Sequence, residues 1–198
     1  MAPPPAELSL VVPARQHLSG FVAALNAGWS PDNLRGSKAG DEALAQIAED
    51  ADRYLALRID REAKGPPITL PDGTQVQRLP GLVLWMWDGE FCGTIGLRWQ
   101  RGTPALPPHV LGHIGYGVVP WKRQRGYAKR ALGLMLVEAA KEGLPYVELT
   151  CDVDNEPSQR TIVANGGVLI ERFQPLPAYG DAPKLRYRVQ LIASPERP

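Results

Sequence analysis

Between residues 112 and 153, a strand pattern, a helix pattern and a second strand pattern follow one another with short connections. Gly112–Val119 carries isoleucine, tyrosine and two valines, and Tyr146–Val153 alternates apolar with polar residues. Between them, Gly126–Lys141 places leucine, methionine and valine on one side of a helix. Two strands joined through a helix in this way run parallel, because a parallel pair needs a crossover of a dozen or more residues. The sequence therefore predicts a mixed α/β domain with a parallel strand pair at its centre.

Turn signals predict antiparallel strands around this unit. Asp88-Gly89 separates the apolar runs Leu82–Trp87 and Glu90–Trp99, which is typical of a β-hairpin, and Asp72-Gly73 indicates another tight turn between two short strands. Gly166-Gly167 predicts the end of a helix. The remaining patterns predict a strand at Leu8–Val12, helices at Arg15–Ala27, Asp41–Arg61 and Pro157–Asn165, and strands at Val168–Phe173 and Leu185–Ile192.

Length and charge restrict the possible partners and the location. The 198 residues, 44% of them hydrophobic, suit one domain over residues 1–198, with residues 1–6 as a Pro-rich flexible tail. A net charge of +1 gives no electrostatic basis for binding nucleic acid or an anionic membrane. No apolar run reaches the roughly 20 residues that span a bilayer, and the N-terminus lacks a signal-peptide pattern. We therefore expect a cytoplasmic protein, and two isolated cysteines give no reason to expect a metal.

The loop between the first strand and the helix of this unit has the character of a phosphate site. Val118–Arg130 passes from the strand through a basic loop into the helix. The first N–H groups of a helix have no internal partner, and the helix dipole is positive there, so such an end binds phosphate. Gly126 and Ala128 leave the backbone accessible. No Gly-Lys-Ser/Thr and no three-glycine fingerprint is present, which excludes the usual nucleotide loops. The alternative is a basic helix start that is simply solvated.

The motifs together resemble the GNAT superfamily of N-acetyltransferases. Arg123-x-x-Gly126-x-Ala128 is similar to the family signature that follows the fourth strand and opens the third helix, and Asn155 and Ser158 suit the start of the next helix. The resemblance covers about residues 80–173. It implies a central, mostly antiparallel sheet of six to seven strands with about four helices and a splayed parallel pair in the middle.

The resemblance also implies a cofactor site and a reaction. Acetyl-coenzyme A would lie between the splayed strands, and an amine would attack its thioester directly, without a covalent enzyme intermediate and without a metal. The amine would belong to a small molecule or a protein, and a homodimer is possible. The residues expected to hold the cofactor are the backbone of Val118 and Val119, the loop residues Arg123, Gln124, Arg125, Gly126, Tyr127 and Ala128, and the side chains of Asn155 and Ser158.

The sequence departs from the family at the acid that would protonate the leaving thiolate. The position that often carries tyrosine is Ile162, so Tyr127 or Tyr179 could serve instead, or no acid is needed. The missing tyrosine also leaves a second function open. The chain could be a catalytically inactive acyl-coenzyme A-binding sensor or a partner-binding module.

The general base is also not at its usual place. The family often has a carboxylate at the position of Gly112, and its neighbour His113 is the nearest group that titrates near neutral pH. Alternation points His113 away from the cleft unless a bulge reverses it. Glu148 and Asp152 are the other candidates, on a polar strand face that suggests a water-filled cleft. We therefore expect His113, one of these carboxylates, or a chain of water molecules to remove the proton.

Overall fold

The computed structural model describes residues 7–70 and 72–191, so the tail at residues 1–6 and the predicted strand end at Ile192 lie outside the described residues. The helices are α1 (Arg15–Asn26), α2 (Ser37–Ala56), α3 (Tyr127–Lys141) and α4 (Glu156–Val163). The strands are β1 (Ser9–Val11), β2 (Ile59–Asp60), β3 (Ile68–Thr69), β4 (Gln75–Val76), β5 (Gly81–Trp87), β6 (Phe91–Arg98), β7 (Ile114–Val118), β8 (Tyr146–Asp152), β9 (Val168–Phe173) and β10 (Lys184–Gln190).

The strands form two larger sheets and a small hairpin. The first sheet has the order β1-β5-β6-β7, and β2 also pairs with β5; the second has the order β8-β10-β9. All pairings within these sheets are antiparallel, and β3 with β4 makes the short hairpin around Asp72-Gly73. Four helices with antiparallel sheets confirm the predicted mixed α/β class.

The predicted parallel pair β7 and β8 lies side by side but is not joined by a regular ladder in the part of the chain that the structure describes. The two strands meet at one place, where the His113 N–H donates to the Glu148 carbonyl at 2.7 Å. Beyond that point no ladder pairing joins the described residues of β7 and β8, so the polar groups of their facing edges have no strand partner. Such a gap is where a ligand can form backbone hydrogen bonds with a sheet.

Gly112 is a glycine because β8 comes so close to it. A Cβ at this position would lie 2.9 Å from the Glu148 carbonyl oxygen and 3.3 Å from Cα of Leu149. A side chain here would push the two strands apart at the point where the His113 N–H bonds to Glu148. The position at which the resemblance placed a carboxylate is therefore filled by the backbone of the neighbouring strand.

Two apolar clusters hold the elements in place. The first packs α3, through Leu132 and Met135, between the inner faces of both sheets. The second lies on the opposite face of the first sheet, where α1 and α2 cover Trp85 and Phe91. The first sheet is thus covered on both faces. No helix among the described residues is long and apolar enough to cross a membrane.

The second helix differs most from its prediction. It begins at Ser37 instead of Asp41, and it ends at Ala56 instead of Arg61 because Ile59–Asp60 pairs with β5. The Asp60 carboxylate accepts hydrogen bonds from the N–H groups of Lys64 and Gly65, which fixes the turn after the strand. A tertiary pairing here overrides a local helical pattern.

Candidate active site

The loop from β7 to α3 is shaped by two residues in the left-handed region. After Val118 the chain makes a short 3-10 turn at Pro120–Lys122, and Gln124 then has a φ of 62° and Gly126 a φ of 76°. Glycine adopts such a φ without the steric cost of a side chain. A Cβ at Gly126 would meet no atom within 4 Å, so the backbone conformation, and not crowding, is what calls for glycine.

These turns present a row of N–H groups with no protein acceptor. Within residues 7–70 and 72–191, the backbone N–H groups of residues 124–126 donate no hydrogen bond to another backbone group. Tyr127 and Ala128 are the first residues of α3, and the first N–H groups of a helix have no carbonyl partner within the helix. Arg125 and Lys129 stand beside this row. Arg123 turns back instead, and its Nε donates to the Val118 carbonyl at 3.2 Å. The row is a site for an anion.

An open groove runs from this loop along α3. It has a volume of about 430 Å³ and is lined by Gly126, Lys129, Arg130, Gly133, Leu134 and Asn165. The Asn165 amide donates to the carbonyls of Lys129 and Thr161 and so ties the end of α4 to α3. The groove leaves space next to the free amides for a ligand larger than one phosphate.

A buried ion pair fixes the loop to the hairpin of β5 and β6. The ammonium of Lys122 lies 2.8 Å from Oδ1 of Asp88, and both side chains are more than nine-tenths buried. The Tyr127 hydroxyl donates to Oδ2 of Asp88 at 2.6 Å, and the exposed Glu90 carboxylate also contacts Lys122 at 2.9 Å. Both sides of the loop, Lys122 before it and Tyr127 after it, are thus tied to one carboxylate.

The charges of this pair shift three pKa values. Burial raises the pKa of Asp88, but the hydrogen bonds from Lys122 and Tyr127 outweigh it and lower the pKa to about 2. Burial lowers the pKa of Lys122, yet its bonds to Asp88 and Glu90 raise it to about 12. Burial and the nearby Asp88 raise the pKa of Cys92 to about 12, so its thiol stays protonated and unreactive at neutral pH.

Asn155 and Ser158 form the start of α4, close to β7. Oδ1 of Asn155 accepts the Ser158 N–H at 3.1 Å, which makes Asn155 the N-cap of the helix. The Ser158 hydroxyl lies 2.9 Å from the hydroxyl of Tyr116 on β7. The side-chain N–H groups of Asn155 have no hydrogen-bond partner within residues 7–70 and 72–191.

Val118 and Val119 differ in what their backbones still offer. The Val119 N–H donates to Cys92 on β6, and its carbonyl accepts from Lys122. Because successive residues of a strand point their polar groups to opposite edges, the Val118 amide faces the gap towards β8. The structure therefore supports Val118 better than Val119 as a ligand of the cofactor, and both assignments stay predictions.

His113 is buried at the junction of β7 and β8, and both of its ring nitrogens are in use. Nδ1 accepts the Glu148 N–H at 2.9 Å, and Nε2 lies 3.1 Å from the Pro104 carbonyl oxygen. The ring is therefore neutral, with its proton on Nε2, and burial lowers the pKa of His113. The pairing of β7 with β6 is regular from Ile114 to Val118, so the bulge that could redirect His113 is not seen there. In this conformation the ring joins the strands, and its role as a base stays a prediction.

We expect His113 to make the stability of the fold depend on pH. Its folded pKa is lowered, so its contribution is complete above the unfolded pKa of about 6.5 and is lost as pH falls through the folded value. Protonated Nδ1 cannot accept the Glu148 N–H, and a lost buried hydrogen bond costs about 1–3 kcal/mol. Denaturant unfolding at pH 7.5 and pH 5 should show this loss in the wild type. In His113→Asn, the uncharged side-chain oxygen can accept the Glu148 N–H at both pH values, so the stability of this variant should hardly change with pH. An equal loss of stability in wild type and variant would show that protonation of His113 is not the cause.

Glu148 and Asp152 are paired with basic residues on β10. Oε1 of Glu148 accepts from Arg188 at 2.6 Å and Oε2 from Arg186 at 3.1 Å, while Lys184 contacts Asp152. Burial raises the pKa of Glu148, but the arginines outweigh it, and the net pKa is lowered. The polar face of β8 is therefore a cross-strand ladder of charges. A carboxylate held by two arginines is a weak base.

The tyrosines proposed to replace the missing acid have other partners. Ile162 is fully buried, Tyr127 donates to Asp88, and the Tyr179 hydroxyl donates to the His109 carbonyl at 2.5 Å.

Tyr116 is a site residue that the sequence did not indicate, although its position on β7, two residues before Val118, places its hydroxyl at the start of α4. Lys122 was missed as well, because a lysine within a basic loop carries no signal of burial. The described residues contain no group of three or more side chains that could hold a metal.

A strand that leads through free amides into a helix, next to a second strand splayed away from it, defines an α/β domain of the acyltransferase type. Residues 46–166 match the model of the acetyltransferase (GNAT) family, and the chain belongs to that family. No curated protein sequence matches the chain.

Solved structures with the same fold cover nearly the whole chain. RimL, a ribosomal L7/L12 alpha-N-protein acetyltransferase in complex with coenzyme A, is 15% identical over 94% of this chain and 96% of its own, with a TM-score of 0.61. The microcin C7 self-immunity acetyltransferase MccE, in complex with acetyl-CoA and AMP, is 13% identical over 93% and 92%, with a TM-score of 0.60. An acetyltransferase from Salmonella typhimurium that modifies the N-terminal serine of a ribosomal protein is 16% identical over 93% and 95%, with a TM-score of 0.58.

Proposed function

We propose that this protein is an N-acetyltransferase that moves the acetyl group of acetyl-coenzyme A to an amine. The observation that carries the proposal is the row of free amides at residues 124–128, beside the gap between β7 and β8. A pyrophosphate matches these amides in charge and in hydrogen bonding. The coenzyme A and acetyl-CoA complexes of RimL and MccE support the same ligand class.

The chain offers partners for the rest of the coenzyme. Arg125 and Lys129 add positive charge beside the pyrophosphate, and the groove along α3 gives room for the nucleotide end. The pantetheine arm would enter the gap, which the Val118 amide faces, and Asn155 at the start of α4 would donate its side-chain N–H groups to it. Bound there, the coenzyme supplies a thioester whose carbonyl carbon the amine attacks and whose thiolate leaves.

The chain's own contribution to the reaction is to position the amine and the thioester and to polarise the thioester carbonyl. A backbone amide of β7 facing the gap can donate to the thioester oxygen as negative charge develops on it. The attacking amine must first lose a proton. Since His113 and Glu148 are engaged with other groups, we favour a chain of water molecules as the proton acceptor.

The acceptor is an amine of a small molecule or of a protein, and RimL and the Salmonella enzyme, which act on a ribosomal protein, are examples of the second kind. A homodimer stays a prediction. An inactive acyl-coenzyme A sensor is the second candidate, because Ile162 replaces the usual tyrosine and is fully buried.

Two measurements on the purified protein separate these functions. Calorimetry with coenzyme A tests the site, and release of free thiol from acetyl-coenzyme A over a panel of amines, with product masses, tests turnover. Binding with amine-dependent thiol release supports the enzyme, while binding without release over a broad panel supports the sensor. No binding of coenzyme A at all would reject both.

Asn155→Ser should slow acetyl transfer by about tenfold and leave stability almost unchanged. Serine keeps the cap of α4 but loses the amide N–H groups that would reach the pantetheine arm. Asn155→Ala loses the cap too, and should also lower the unfolding free energy by about 1 kcal/mol. Steady-state rates and denaturant unfolding of both variants check this. A full rate for Asn155→Ser would mean that Asn155 is only a structural cap.

A further inference from the structure

Arg98 ends β6 on the face of the first sheet opposite α3. A Cβ added at Gly115 of β7 would lie 3.6 Å from Nη2 of Arg98, so the guanidinium lies against the bare backbone of β7. Arg98 is exposed to solvent. Desolvation by the neighbouring protein lowers the pKa of Arg98, and the charges of Asp32 and Tyr179 raise it by less.

The guanidinium of Arg98 has no partner of its own in the part of the chain that the structure describes. It forms no ion pair and no side-chain hydrogen bond there, and Asp32 and Tyr179 act on it only at a distance. Asp32 is committed elsewhere, since its Oδ1 accepts the N–H groups of Leu34 and Arg35. Arg35 in turn contacts Glu42 at 2.5 Å. Arg98 is thus a cation without a matching anion.

Arg98, Trp29 and Asn33 stand over the glycines of β7 on one face of the sheet, and we call the region between them the cleft. A Cβ at Gly117 would lie 3.7 Å from the ring of Trp29 and 3.8 Å from Oδ1 of Asn33, and the Asn33 amide donates to the Tyr116 carbonyl at 3.3 Å. The floor is therefore the glycine backbone of β7. Trp29 gives an apolar wall and Arg98 a positive end. Arg98 thus lies on the side of β7 away from α3, whose N-terminus carries the free amides.

We propose that Arg98 binds an anionic group, a carboxylate or a phosphate, on the acceptor amine. This inference rests on the proposed function, because the coenzyme would occupy the gap next to the same strand. A guanidinium offers a planar fork of donors that matches either anion with two hydrogen bonds. Gly115 of β7 and its register partner Gly96 of β6 have no side chains, so neither residue places a side chain between Arg98 and the gap in which the thioester would bind. The protein therefore selects amines that carry a negative charge a few bonds away.

Matched probes test this selectivity by binding to the protein saturated with coenzyme A. 4-(2-Aminoethyl)benzoate and 4-(2-aminoethyl)benzamide differ in charge but hardly in shape, and they test for a carboxylate. O-Phosphoethanolamine and ethanolamine form a second pair that tests for a phosphate. We expect one anionic probe to bind about tenfold more tightly than its neutral partner, as one charge-assisted pair gives. Arg98→Gln should abolish this preference, and Arg98→Lys should keep part of it. Which pair shows the preference tells carboxylate from phosphate.

Arg53→Gln is the matched control, because Arg53 is an exposed arginine on α2 outside this cleft, and it should keep the full preference. Where a probe is also acetylated, Arg98→Gln should raise the KM for the anionic probe and leave kcat unchanged. Equal binding of both members in each pair, no binding of any probe, or a preference that survives Arg98→Gln overturns the proposal. Failure to bind coenzyme A itself would instead reject the proposed function.

Discussion

Gly126→Glu should weaken coenzyme A binding by about 100-fold, which corresponds to about 2.7 kcal/mol. The new carboxylate would stand in the row of amides at residues 124–128, where it competes with the pyrophosphate for the same donors and repels its charge. The side chain itself meets open space, so the fold should survive. A non-glycine residue at a φ of 76° costs roughly 1–2 kcal/mol of stability. Calorimetry with coenzyme A and thermal unfolding measure the two effects separately.

Gly143→Glu is the control for this substitution. Gly143 follows the other end of α3, has a φ of 78°, and a Cβ there also meets no atom within 4 Å. The variant therefore introduces the same charge with the same backbone strain, away from the amides. It should bind coenzyme A within about threefold of the wild type, well below the effect of one lost charge-assisted contact. If Gly126→Glu bound equally well, the loop would not be the phosphate site.

The parts of the fold that were predicted correctly have local signals. Asp88-Gly89 does lie in a hairpin, between β5 and β6, and Gly126 does precede a helix that begins at Tyr127. Turn glycines and helical periodicity depend on residues close in sequence, so they can be recognised without knowing the fold. The gap between β7 and β8 was not visible in this way, and it was expected only from the family resemblance.

The parts that could not be predicted depend on partners far apart in the chain. His113 appeared as a candidate base, but its ring accepts the N–H of Glu148, 35 residues later. Glu148 appeared as a free carboxylate, but two arginines from β10 bind it. In both cases the residue type can accept a proton in principle, but a contact with a residue distant in sequence occupies the atoms that would do so. Arg98 is the opposite case, since the sequence gives no sign that this arginine lacks an ion-pair partner among the described residues.

The ion pair of Asp88 and Lys122 is the other place where a single change should have a large effect. The pair is buried, with side-chain exposures of 7% for Asp88 and 9% for Lys122. Removing Asp88 leaves the buried ammonium of Lys122 with only the exposed Glu90 carboxylate as a charged partner, and such a loss is costly in a poorly hydrated site. The pKa of Asp88, lowered from 3.8 to about 2, corresponds to about 2 kcal/mol in favour of the ionised form.

Asp88→Asn should therefore lower the unfolding free energy at pH 7 by about 2–4 kcal/mol. The folded pKa of Asp88 is lowered, so its contribution is present above the unfolded pKa and is lost as pH falls through about 2. The difference between wild type and variant should accordingly shrink between pH 5 and pH 3. Denaturant unfolding at these values measures it. Coenzyme A should bind more weakly to the variant as well, because Lys122 and Tyr127 no longer share one anchor on both sides of the loop.

Glu90→Gln and a double variant show whether the buried pair is the cause. Glu90 contacts the same ammonium, but its side chain is 78% exposed, so its substitution should cost well under about 1 kcal/mol. Asp88→Asn with Lys122→Met removes both charges and should recover most of the lost stability, because no unpaired charge remains. Recovery of stability without recovery of coenzyme A binding would show that the pair acts by holding the loop in place. If Asp88→Asn cost no more than Glu90→Gln, the pair would contribute nothing beyond a surface contact.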